Sequence, residues 1–306
     1  MKHDLISLGD LSKEGIYKII YKAIDLKAEL KFEHRLNYLN GKNLALVFEK
    51  PSLRTRVTFE VAIRQLGGSA IYLSQQDIGI GKRESVADIA KNLSRWVDCI
   101  AARTFAHKTV LDLAKYSEMP VINALSDLEH PCQALADYLT IYDVLGKIEG
   151  VTLAWIGDGN NVCNSLMLGA AILGVNMKIA TPKGCEPRKE IVERALALAK
   201  NSSAQIALTD DPVQAVKGSE FIYTDTWTSM GQEAEAEKRK AAFSKFQVNK
   251  KLLEHAPHIH YVMHCLPAHR GEEITDEVLD GPQSIVLEQA ENRMHVQRAI
   301  LAILLG

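Results

Sequence analysis

The chain has 306 residues, 47 % apolar and 24 % charged, with 36 Lys and Arg against 38 Asp and Glu for a formal charge of −2. That composition excludes a disordered chain, and the charge balance excludes a general nucleic-acid or membrane-surface binder. Any anion site has to be assembled from a local group of cations. The length suggests two domains, each with its own core. The five cysteines, Cys99, Cys132, Cys163, Cys185 and Cys265, are odd in number, scattered, and form no CxxC pair. This speaks against a zinc or dithiol site and for a reducing cytoplasm. No apolar run reaches the ~18 residues of a membrane span, and the first residues lack the apolar core of a signal peptide.

Short β-rich runs alternate with helical patterns, which predicts an α/β fold with largely parallel sheets. The first half carries runs at Asn43–Phe48, Ala70–Leu73, Cys99–Ala102 and Val121–Ala124. Within it, Ser52 opens a helix that runs toward Gly67-Gly68. Ser85 opens another, on which Val86, Ile89, Ala90, Leu93 and Val97 recur at helical spacing. Pro131–Leu145 reads as the helix connecting two domains, with proline in its first turn and Gly146 past its end. The second half carries runs at Val151–Ile156, Val175–Ala180, Ile206–Thr209, Phe221–Thr224, His260–His264 and Ser284–Leu287. A last helix, about 290–305, follows.

Chemistry gathers where these strands end. Asn43–Phe48 leads through Glu49-Lys50-Pro51 into Ser52-Leu53-Arg54-Thr55-Arg56 at a helix start. Unpaired amides, hydroxyls and a guanidinium there suit a phosphate. An ordinary capped helix with solvated arginines is the plainer alternative. Arg103 follows the run CIAA, and His130-Pro131-Cys132-Gln133 opens the connector helix. Ligands bind at the carboxyl ends of parallel strands. Three cationic strand ends together point to one shared anion pocket.

In the second half, Val151–Ser165 has the order strand, Gly157-x-Gly159, helix. The third glycine of a dinucleotide fingerprint is missing and no acidic ribose partner follows, so a glycine-shaped turn is preferred to an NAD site. Asn161 offers an amide to a small substrate. Asp225 suits an ammonium group, with Ser229 as a hydrogen-bonding neighbour. Cys265 reads either as a nucleophile or as a small buried residue. His255, His258, His260, His264 and His269 match no zinc-ligand spacing.

Five segments in order resemble one family, the aspartate/ornithine carbamoyltransferases, over essentially the whole chain. Phe48 to Arg56 is similar to the family's S-T-R-T-R carbamoyl-phosphate signature. His130 to Gln133 resembles its H-P-x-Q. Asp225 to Glu233 resembles the D-x-x-x-S-M of the ornithine branch, and His264-Cys265-Leu266-Pro267 its H-C-L-P. Glu291-Asn292-Arg293 matches the closing E-N-R.

The resemblance implies two α/β domains with the active site in the cleft between them. Residues 1–133, with the helix at about 289–306 packed back on them, would bind carbamoyl phosphate, and residues 134–288 ornithine. Ser52, Leu53, Arg54, Thr55, Arg103, His130, Gln133 and Arg293 would hold carbamoyl phosphate. Asn161, Asp225, Ser229 and Met230 would hold ornithine, with Cys265 and Leu266 where the substrates meet. Arg103, His130 and Cys265 would be the catalytic groups, with no metal or organic cofactor. The family also implies a homotrimer or a multiple of trimers, and a cytoplasmic enzyme of arginine metabolism.

Three departures stand out. Leu53 replaces a threonine, leaving only a backbone contact. Cys132 fills a variable position. Gly79 stands where the family often has glutamine, in the loop Asp77–Arg83. The implied replacement is Lys82 or Arg83, acting across a subunit interface. The nearest rival is aspartate carbamoylation, whose second substrate carboxylate calls for basic residues. The acid, hydroxyl and thiol at 225, 229 and 265 favour an amine-bearing substrate. Acetylated or succinylated ornithine and putrescine are further candidates, and a dehydrogenase is the alternative from another class.

Overall fold

Asn43–Phe48 (β1), Cys99–Arg103 (β3) and Val121–Leu125 (β4) are mostly apolar without alternation and almost entirely buried, as strands covered on both faces must be. The computed structural model describes residues 3–33, 36–228 and 235–306. They form two compact units, one of residues 1–139 and 291–306, the other of residues 140–290. Both chain crossings fall inside helices.

In the first unit, β1, β3 and β4 join Ser69–Ser74 (β2) in a parallel sheet of order β2-β1-β3-β4. The longer helices are Lys13–Glu29 (α1), Leu53–Gln65 (α2), Val86–Leu93 (α3), His107–Tyr116 (α4) and the first part of Pro131–Leu145 (α5). Ala45, Val47, Ile100 and Ala102 form a core with Val110 and Leu113 of α4. Ser85 caps α3 by accepting the Asp88 amide. This helix ends at Leu93, so Val97 reaches the core from the following turn rather than from a continued helix. Residues 75–78 form one helical turn that ends on Gly79 with φ +56°. A Cβ on Gly79 would come within 2.8 Å of Arg83 Cβ, so the loop as folded has no room for a side chain there.

The second unit contains Thr152–Ile156 (β5), Asn176–Ala180 (β6), Ile206–Thr209 (β7), Phe221–Thr224 (β8) and Tyr261–His264 (β9). They form a parallel sheet of order β7-β6-β5-β8-β9. Its longer helices are Asn161–Leu173 (α6), Lys189–Ala199 (α7) and Ala236–Phe243 (α8). Val286–Leu305 (α9) starts in this unit and ends in the first. The strand expected at Ser284–Leu287 is not one. Ser284 makes an isolated bridge to Val262, and the helix begins two residues later. A run with only three apolar residues has no period of its own, and here Ile285 and Val286 are buried by a helix start while Leu287 points outward.

Parallel pairing brings all the carboxyl ends of a sheet to one edge. In the first unit Phe48 pairs beside Arg103. In the second, Ile156 pairs with Thr224 and Thr224 with His264, so Gly157, Asp225 and Cys265 follow three adjacent strands at one level.

Candidate active site

The first unit gathers cations around the start of α2. Ser52 is extended and its Oγ accepts the Thr55 amide at 3.2 Å, which fixes the helix start beside β1. Thr55 is fully buried, and its Oγ1 accepts from Arg293 Nη2 at 2.9 Å. Arg54 is half-buried, whereas Leu53 turns its side chain outward. Arg103 ends β3 and is buried.

His130 follows a tight turn. Ser126 Oγ accepts the amides of Leu128 and Glu129, and the Glu129 carboxylate accepts the Leu8 amide at 3.1 Å. Burial holds the His130 pKa well below the usual imidazole range, and Arg293, Arg103 and Lys50 push it further down. The ring is therefore neutral near pH 7. One turn of α5 further on, Gln133 donates Nε2 to Asp137 Oδ1 at 2.8 Å. Its buried Oε1 has no hydrogen-bond partner among the described residues. Lys50, which no sequence argument singled out, is buried in the same group with Nζ 4.7 Å above the Phe105 ring. Its only signal was its place in the segment ending at Ser52.

The second unit centres on Asp225. Its Oδ2 accepts Asn160 Nδ2 at 2.7 Å, and its Oδ1 accepts the Thr226 amide at 2.8 Å and Cys265 Sγ at 3.0 Å. Asn160, which the sequence reading passed over, makes a side-chain contact to this acid. Asn160 Oδ1 also caps α6 by accepting the amides of Val162 and Cys163. Asn161 is the first helical residue, next to it and half-buried. Nothing in the sequence distinguishes two adjacent asparagines, because only the cap geometry does. Behind this group, Arg239 Nη2 reaches Asp158 Oδ1 at 2.6 Å and its Nε donates to the Trp227 carbonyl at 2.6 Å. Burial raises the Asp158 pKa, against the pull of Arg239. The predicted Ser229 and Met230 lie outside the described residues.

The glycine turn does not offer a dinucleotide site. A Cβ on Gly159 would fall 2.2 Å from Pro187 N and 2.4 Å from Glu186 C. Chain 186–187 thus fills the space that the second glycine of a fingerprint leaves for a pyrophosphate. The α6 amides that would face the phosphate are taken by Asn160. Asp225, His264 and Cys265 bring ligand-type atoms within 4.8 Å of one another. Both His264 ring nitrogens, however, are already bonded within the protein.

Comparison with known proteins agrees with these two half-sites. Residues 3–143 match the family model for the aspartate/ornithine carbamoyltransferase carbamoyl-P binding domain, and residues 149–304 that for the Asp/Orn binding domain. Ornithine carbamoyltransferase of Pyrococcus horikoshii is 53% identical over 303 residues, covering 99% of this chain and 96% of that protein. That of Methanosarcina acetivorans is 53% identical over 301 residues, covering 98% of each. The solved ornithine carbamoyltransferase of Pyrococcus furiosus is 52% identical with a TM-score of 0.97, covering 99% of this chain and 97% of that one. A matched model for each half, in the order in which the two sheets occur, means that the chain belongs to the aspartate/ornithine carbamoyltransferase family.

Proposed function

We propose that the chain transfers the carbamoyl group of carbamoyl phosphate to the δ-amine of L-ornithine, giving L-citrulline and phosphate. The observation that carries the choice of ornithine over aspartate is the set of partners around Asp225. They are an amide, a backbone N–H and a thiol, which leave the acid to meet an ammonium or amine. The guanidinium nearby, Arg239, is held by Asp158 and is not offered to a second substrate carboxylate.

In this reading Ser52, Leu53 through its backbone, Arg54, Arg293 and the start of α2 hold the phosphate. Arg103, Thr55 and neutral His130 meet the carbonyl oxygen. Gln133 Oε1 accepts from the carbamoyl nitrogen. Asn160 and Asn161 with Asp225, and Ser229 and Met230 by resemblance, hold ornithine, next to Cys265 and Leu266. The neutral δ-amine attacks the carbonyl carbon, negative charge develops on the oxygen, and phosphate leaves from the tetrahedral intermediate. Preorganised donors act where that charge develops, at about 3 kcal/mol each.

The relative from Pyrococcus furiosus is described as anabolic, and we take the citrulline-forming direction in arginine synthesis as the role here. A trimer, or a multiple of one, in the cytoplasm completes the proposal. Light scattering tests the assembly. The activity is tested by carbamoylation with ornithine, aspartate, putrescine and acetylornithine. Ornithine alone should turn over well, and a preference for aspartate would overturn the reading.

A further inference from the structure

His264 is fully buried at the end of β9, directly before Cys265, and the reaction outlined above does not use it. Its ring is nevertheless bonded on both sides. Nδ1 lies 2.8 Å from the Leu266 backbone nitrogen, and Nε2 lies 3.1 Å from Glu273 Oε1. A backbone N–H is only a donor, so Nδ1 must present its lone pair. The ring proton then sits on Nε2 and points at Glu273, which also accepts the His269 amide through the same oxygen.

The network continues into the sheet. The His264 amide donates to Gln289 Oε1 at 2.9 Å, and Gln289 Nε2 donates to Tyr223 Oη at 2.9 Å. Glu273 is itself fully buried. Leu266 stands at φ +57°, a left-handed backbone that an L side chain disfavours. Its amide bond to His264 Nδ1 holds it there. In the same turn Cys265 directs its thiol at Asp225.

We propose that Glu273 and His264 are positioning residues for the reaction. Glu273 selects the Nε2–H tautomer of His264, and that tautomer holds the Cys265–Leu266 turn through the Leu266 amide. The ring is not assigned a proton relay, because each nitrogen is committed to a protein partner, Nδ1 to the Leu266 amide and Nε2 to Glu273. The proposal rests on the ornithine reading for what the turn does, but its chemistry is read separately.

The first test is the tautomer of His264, read from the 15N shifts of both ring nitrogens in histidine-labelled enzyme. The Nε2–H form is expected, and an Nδ1–H or doubly protonated ring would overturn the proposal. The second compares substitutions. In His264→Asn, Oδ1 takes the place of Nδ1 and still accepts the Leu266 amide. In His264→Gln, Nε2 reaches Glu273 but the Leu266 acceptor is lost. The Asn variant should therefore exceed the Gln variant in kcat/KM by about ten- to hundredfold, the effect of leaving a buried donor unpaired. Glu273→Gln keeps an acceptor and should exceed Glu273→Leu in the same sense. Equal losses in Asn and Gln would mean that Nδ1 does not matter and would sink the idea. Should a variant fail to fold, the wild-type tautomer still decides. An unaltered enzyme that carbamoylates nothing defeats the functional reading. An active enzyme with the proton on Nδ1 defeats only this one.

Discussion

Arg293 and Thr55 stand 238 positions apart in the chain, yet Arg293 Nη2 donates to Thr55 Oγ1 at 2.9 Å in a fully enclosed contact. The last helix thereby reaches the first turn of α2, where an anion is expected to bind. Arg293→Met should raise KM for carbamoyl phosphate by at least tenfold, since a buried charge-assisted bond is worth about 1.5–3 kcal/mol. Thr55→Val should do less, because it removes one hydroxyl and leaves the guanidinium. Initial-rate kinetics with each substrate varied in turn would check this. A change confined to ornithine would place Arg293 in the wrong half-site.

Arg54 and Arg103 are expected to fail differently. Arg54→Ala should act mainly on KM for carbamoyl phosphate, as a phosphate contact made in ground and transition states alike. Arg103→Ala should act mainly on kcat, as a contact that strengthens with charge on the carbonyl oxygen, by ~10²–10³. Normal constants in either variant would remove that residue from the site.

Cys265 is expected to orient rather than to attack. Its thiol donates to Asp225 at 3.0 Å, a bond that a serine hydroxyl reproduces. Cys265→Ser should keep measurable turnover with weaker ornithine binding. Mass spectrometry of enzyme with carbamoyl phosphate alone should find no added carbamoyl group on the thiol. A kinetically competent adduct would sink direct attack by the amine.

Arg239 should matter to the ornithine half-site although it touches no proposed substrate atom. It ties Asp158, two residues before Asn160, to the Trp227 carbonyl, two residues after Asp225. Arg239→Met strands a buried carboxylate, a loss of about 3 kcal/mol. The variant should melt lower and show a raised KM for ornithine. Adding Asp158→Asn removes the stranded charge and should recover part of the Tm. A double variant less stable than Arg239→Met would show that the charge was not the cause.

The pH dependence of stability follows from His130 and His295, whose pKa values are both lowered chiefly by burial. The folded protein keeps these rings neutral, while the unfolded chain protonates them near pH ~6.5. Below that pH the unfolded state binds more protons, so folding weakens as pH falls from ~6.5 toward the lowered folded values. Above ~6.5 the two rings contribute no slope. Tm should be level from neutral pH upward and decline on acidification. His130→Asn should make that decline shallower, and an unchanged slope would exclude His130 as a contributor.

Much of the fold was legible because the chain alternates unbroken apolar runs with 3.6-period stretches. Nine of the ten expected runs are strands, three of them, β1, β7 and β8, with the expected bounds. The tenth failed because three apolar residues serve a helix start as well as a strand. The site was legible wherever it sits in a short contiguous segment. Ser52, Thr55, His130, Asp225 and Cys265 all lie within a few residues of a strand end, where a parallel sheet collects its chemistry.

By itself the sequence determined the strand–helix alternation, the helix caps at Ser52 and Ser85, and the segments in which the reactive groups lie. These are local matters of period, capping and chain order. Only the tertiary structure decided that Asn160 bonds Asp225, that Lys50 joins His130, and that Glu273 faces His264. Gly159 likewise became a packing glycine only once the chain at 186–187 lay against it. Each depends on where a distant backbone places a side chain to within an ångström. Neither the spacing nor the type of a residue carries that information.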